Sequence, residues 1–168
     1  MSVNVPSPLF RRSEFGCIPY SSRRHAPRKT RTSVKPSMIV KRAAEWGVDT
    51  TRLGMIGFSA GAGLTMHCTL NSKSMQLDFV GPIYGGMGPV EVPKNAPPMF
   101  NVIATDDFLF RGQFGVIESW FKAGRPVEFH LYQNGGYGFG LGNPDRTSNR
   151  WFDAFIHWLE VNDFLAAK

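Results

Sequence analysis

The sequence is poor in several things, and each shortage narrows what the chain can be. Its two cysteines, Cys17 and Cys68, form no CxxC pair and have no zinc-ligand spacing around them. That excludes a disulfide framework and a thiolate metal site. The 18 Gly and 12 Pro follow no period, which excludes a collagen-like or low-complexity chain. No stretch approaches the roughly 18 to 20 consecutive apolar residues of a membrane helix, and residues 1–10 show no basic start followed by an apolar core. The chain therefore reads as soluble, without a secretory signal, with the cytoplasm as the expected location. With 168 residues, 42% of them hydrophobic, there is material for one core and hardly two.

Charge is scarce outside one segment. Residues 1–35 hold eight of the 19 Lys and Arg against a single acid, Glu14, a surplus of seven. The remaining residues carry 11 basic and 12 acidic groups, so the formal charge of +6 belongs to the arm and not to the domain. Such an arm can touch phosphates or anionic lipid, and its Arg and Ser content is that of a transit peptide. Pro6, Pro8, Pro19 and Pro27 break any helix there, and no aromatic residues are interleaved for base stacking. A solvated, poorly ordered segment over 1–35 is the expectation, with the globular domain over 36–168 and no nucleic-acid partner.

Past Pro36 the pattern turns periodic. Ile39, Ala43 and Trp46 fall on one face of a helix that Gly47 stops. Residues 52–58 predict a buried strand feeding a helix from Ser59 to about Leu70. Further strands are predicted at 77–84, 99–104 and 127–132, and helices at 114–122 and 148–161, the last with Trp151, Phe155, Trp158 and Leu159 on one face. Strands that alternate with helices predict an α/β fold with a mostly parallel sheet.

The chemistry concentrates at strand ends. Gly57-Phe-Ser-Ala-Gly61 is a Gly-x-Ser-x-Gly between an apolar strand and a small-residue helix start. This is the setting in which a serine becomes an exposed nucleophile, with the next amide aimed at an oxyanion. Tight packing of the turn is the expected reason for both glycines. Asp106 and Asp107 follow the strand at 99–104, where catalytic groups of open α/β sheets gather, and either can supply an orienting acid. The base should come from the loop after the next strand, Asn134-Gly-Gly-Tyr-Gly-Phe-Gly140, and that loop has no histidine. The four histidines stand elsewhere: His25 in the arm, His67 beside Cys68 in the helix after the serine, His130 within a strand and His157 on the last helix. Neighbours in a helix point in different directions, so His67 and Cys68 make no nucleophile and base pair, and Cys68 reads as a packed thiol.

Residues 43–49 (Ala-Ala-Glu-Trp-Gly-Val-Asp), 57–61, 104–107 (Ala-Thr-Asp-Asp), 135–140 (Gly-Gly-Tyr-Gly-Phe-Gly) and 158–159 (Trp-Leu) together resemble the C-terminal part of the α/β-hydrolase esterases. The similarity runs from about residue 40 to 165 and is nearest to the acetyl-esterase, feruloyl-esterase and dienelactone-hydrolase-like branch. It implies that Ser59 is the nucleophile and that the Ala60 amide forms half of an oxyanion hole. It implies that Asp107, two residues before Leu109, is the acid, with Asp106 as the alternative. It also places Tyr137 where the family carries its base histidine. A phenol, with an ordinary pKa of about 10, suits proton transfer near neutrality far less well than an imidazole near 6.5.

The family also carries several strands and a His-Gly-Gly oxyanion loop before its nucleophile, whereas 58 residues precede Ser59 and none forms His-Gly-Gly. The resemblance thus implies an incomplete, truncated α/β-hydrolase fold, with an exposed sheet edge that invites self-association. The implied activity is that of a serine carboxylesterase on small esters or acetylated sugars, impaired by Tyr137 and the missing loop, with no cofactor or metal. The rival is a non-catalytic pseudo-hydrolase or gene fragment that binds a ligand or partner.

Overall fold

The computed structural model describes residues 42–46, 49, 53–71 and 76–165. The chain divides between Val34 and Lys35, and the whole basic arm over 1–35, with His25 and Cys17, lies outside the described residues. The second unit holds a helix α1 over 42–46 and then β1 (Gly54–Phe58), α2 (Ala60–Asn71), β2 (Phe79–Ile83), β3 (Met99–Ala104), α3 (Gly115–Lys122), β4 (Val127–Tyr132) and α4 (Trp151–Val161). A single turn of 3-10 helix, Thr147–Arg150, leads into α4.

The four strands are all parallel, in the order β1-β2-β3-β4, so their C-terminal ends open on one edge. Parallel sheets are covered on both faces and their strands read as unbroken apolar runs. β3 shows this fully, with all six residues buried. Pro97-Pro98 and Pro126 punctuate the runs just ahead of β3 and β4, so both strands take the predicted limits. On one side α4 lays Phe155 and Trp158 against Phe100 and Phe79, with ring centroids 5.2 to 6.0 Å apart. The helix begins three residues later than predicted because Ser148 and its neighbours wind into the tighter turn.

Two expectations need correction. β1 is not a buried strand: Gly54 is exposed, Met55 and Ile56 are half-buried, and among the described residues it pairs only with β2. Trp46 does not continue a buried stripe with Ala43; it is exposed, with the Arg42 guanidinium 4.5 Å above its ring. The link from β2 to β3 contains no helix. Residues 84–98 run as an irregular loop because Pro89, Pro93, Pro97 and Pro98 remove the donors a helix needs. That loop is held to α3 instead, Val116 N donating to Met87 O at 3.1 Å and Val90 N to Ser119 Oγ at 3.1 Å.

Candidate active site

The end of β1 is a sharp elbow. Ser59 lies in the left-handed region at φ 55°, a conformation that costs an L-residue about 1 to 2 kcal/mol. Its N–H donates to Ile83 O at 3.0 Å, tying the turn to the end of β2, and its carbonyl accepts from Gly63 N at 3.2 Å as α2 begins. Gly57 is required by contact: a Cβ there would meet Gly61 O at 2.2 Å and Thr65 Oγ1 at 2.5 Å. Gly61 is different, since a Cβ on it would meet nothing within 4 Å. Only one of the two motif glycines is therefore fixed by packing.

β3 ends in Thr105-Asp106-Asp107, and the two carboxylates part company. Asp107 is buried and lines the same cavity as Ser59; its Oδ1 accepts the Leu109 N–H at 2.8 Å. Asp106 is partly exposed and does not line the cavity. Its Oδ1 accepts the N–H groups of Gly136 at 2.7 Å and Gly135 at 2.9 Å, and its Oδ2 lies 3.7 Å from Arg146. The Gly136 amide bond, above all, holds the Asp106 carboxyl below the usual carboxylate range; the Gly135 amide and Arg146 act the same way, and desolvation opposes them.

The loop after β4 brings Tyr137 to the serine, where the Tyr137 hydroxyl and Ser59 Oγ form a hydrogen bond. Gly136 and Gly138, at φ 66° and 76°, flank it in conformations that L side chains resist. The ring packs edge-on against Phe108 at 5.2 Å and Tyr84 at 6.1 Å. Two further anchors fix the loop: Thr147 and Asn134 exchange hydrogen bonds at its base, and Trp151 Nε1 donates to Gly140 O at 2.8 Å.

These groups surround a cavity of about 370 Å³. Ser59, Asp107, Arg111, Gln113 and Tyr137 contribute polar side chains, while Met87, Ile103, Leu109 and Phe110 give an apolar wall, and Ala60 also lines the cavity. Among the described residues no histidine lines it. His130 Nε2 lies 2.8 Å from Glu128 Oε1 and its ring stacks on Tyr132, His67 contacts Asn71, and His157 is exposed on α4. Cys68 is half-buried, and burial pushes its thiol pKa up. Among the described residues no cluster of three His, Cys, Asp or Glu side chains could hold a metal ion. Nor is any helix there long and apolar enough to cross a membrane.

One contributor, Tyr84, escaped the sequence reading, and Asp106, named there as an alternative acid, lies elsewhere. Tyr84, in the left-handed region at φ 38°, is buried between Phe58, Phe139 and Tyr137. Asp106 serves the loop and not the cavity. The signal for Tyr84 was present in its position at the C-terminal end of β2, on the edge where parallel sheets place their sites.

By sequence, no family model and no curated protein matches the chain. Solved structures do. An α/β hydrolase enzyme from a Medee basin deep-sea metagenome library superposes with a TM-score of 0.67 at 26% identity, over 77% of this chain and 62% of that one. The chain has the α/β-hydrolase fold. An acetyl ester-xyloside bifunctional hydrolase from Caldicellulosiruptor lactoaceticus (TM-score 0.63, 19% identity, 77% of this chain and 63% of that one) shares the fold. So does a carboxylesterase from Lactobacillus plantarum WCFS1 (0.61, 16%, 78% and 66%). The α/β-hydrolase domain thus spans about two thirds of the length of these neighbours.

Proposed function

We propose that this domain is a serine carboxylesterase for small esters whose proton-transfer step is impaired. The observation that carries the reading is the strained Ser59 elbow, with its hydroxyl bonded to Tyr137 over a cavity that also holds Asp107. In this mechanism Ser59 Oγ attacks the ester carbonyl, and the Ala60 N–H, at the positive end of α2, supports the oxyanion. Met87, Ile103, Leu109 and Phe110 suit a short apolar acyl group. Tyr137 stands in the base's place and Asp107 in the orienting acid's. A neutral phenol bonded to Ser59 can donate a hydrogen bond or accept one, but takes up the serine proton only after losing its own. Attack is therefore slow near neutrality, and acetylated sugars or other small esters turn over at a low rate.

The test is hydrolysis of p-nitrophenyl acetate by the purified chain beside Ser59→Ala. A rate above that of the variant supports the enzyme reading; equal rates remove it. A second reading, a non-catalytic pseudo-hydrolase, is favoured by Tyr137 itself, because the phenol occupies the serine hydroxyl. It predicts equal rates together with saturable binding of a small ester or its acid in the cavity.

A further inference from the structure

The loop that presents Tyr137 leaves β4 as Asn134-Gly-Gly-Tyr-Gly-Phe-Gly140, and four glycines in seven residues give it wide backbone freedom. Past Tyr132 its amides no longer have a strand to pair with. The Gly135 and Gly136 N–H groups, the last two before Tyr137, both donate to one oxygen of Asp106. Hydrogen bonds to an ionised carboxylate are roughly twice as strong as neutral ones, and Arg146 on the other oxygen favours the ionised form. We propose that Asp106 is a positioning residue for Tyr137. By fixing the two preceding amides it sets the direction in which the loop leaves β4, and with it the hold of the phenol on Ser59 Oγ. Adjacent carboxylates at the end of β3 then divide the work: Asp107 faces the cavity, and Asp106 aims the side chain opposite the serine. The assignment rests on reading Ser59 and Tyr137 as the working pair, but its test does not need turnover.

The full chain has four tyrosines, so a ring-fluorinated tyrosine gives four fluorine NMR signals, of which Tyr137→Phe identifies one. Ser59→Ala should shift that signal by removing the hydroxyl that touches the ring's OH. In the Asp106→Ala chain the Tyr137 signal is expected to move and broaden and to lose its response to Ser59→Ala, with the Tyr132 signal unchanged. Asp106→Asn, which keeps an acceptor oxygen, should restore most of the response. A Tyr137 signal that behaves in Asp106→Ala as in the parent chain overturns the proposal. Should Asp106→Ala fail to fold, amide exchange in the unmodified chain decides: the Gly135 and Gly136 amides should exchange at least about tenfold more slowly than that of Gly138, and equal rates overturn the proposal. Absence of turnover in every form would count against the esterase reading alone, because the fluorine signal reports the position of Tyr137 whether or not an ester is cleaved.

Discussion

The elbow after β1 and the loop after β4 meet at the same edge of the sheet, yet they hold their shapes in different ways. At the elbow, shape and chemistry are inseparable: Gly57 must be bare for the backbone of Gly61 to pass, and Ser59 must take a positive φ for its hydroxyl to face the cavity. In the loop the two are separable. Gly136, Gly138, Asp106, Asn134 and Trp151 set the path, and Tyr137 is carried on it. A frame of this kind keeps its form when the side chain it presents is exchanged. The comparison therefore predicts that substitutions in the elbow damage fold and site together, whereas a substitution at Tyr137 changes chemistry alone.

Trp151 is the severest way to break the comparison, because it belongs to both regions. Its buried ring touches Phe58 beside the serine and Phe139 in the loop. Trp151→Ala should cost about 3 to 5 kcal/mol in urea unfolding and remove the Gly140 anchor with it; a loss under about 1 kcal/mol would show that the two regions are supported independently. Next comes Gly57→Ala, expected to cost about 3 kcal/mol by overpacking. Its partner Gly61→Ala should be neutral or stabilising by up to about 1 kcal/mol, since α2 gains helix propensity without a clash. Equal losses at both positions would contradict the packing account of the elbow. Gly138→Ala meets no neighbour and pays only for its positive φ, about 1 to 2 kcal/mol. Thermal unfolding that leaves this variant unchanged would show that the loop relaxes freely.

The smallest effect is that of acid. The Gly136 and Gly135 amides and Arg146 lower the Asp106 carboxyl from its ordinary value. A depressed folded pKa gives stability that is fully present above the unfolded value, about pH 4, and is lost as the pH falls through the lower folded one. Urea midpoints of the parent chain should therefore fall below about pH 4, and Asp106→Asn should flatten that decline. The same decline in both chains would mean that the carboxylate is not held by the loop.

Much of this architecture was legible in the residues. β3 is an apolar run that follows a proline pair, and a parallel strand buried in the middle of a sheet needs little else; β4 starts after Pro126 at the end of the strand order and is half-buried. The order of strand ends pointed to Ser59 and to the Asp106-Asp107 pair, and only the resemblance to the esterases pointed to Asp107 and Tyr137. The half-buried state of β1 was not legible, because an apolar run does not say whether a neighbour covers it. The helix-free link from β2 to β3 was announced by its prolines. The division of labour between Asp106 and Asp107 was invisible, since adjacent residues differ only in the direction their side chains take after the turn. That direction is set by partners 29 or more residues away, at Gly135, Gly136 and Arg146.

The central claim, that the loop keeps the place of a base while Tyr137 withholds its chemistry, is tested most directly by Tyr137→His. Loss of one triad member costs on the order of 10⁴ to 10⁶ in turnover, which sets the ceiling for a rescue. The account predicts that Tyr137→His raises hydrolysis of p-nitrophenyl acetate well above the parent rate, with an acid limb near the ordinary imidazole pKa, and that adding Ser59→Ala abolishes the gain. A Tyr137→His chain that folds as the parent does by circular dichroism, yet cleaves the ester no faster than Ser59→Ala, would contradict it.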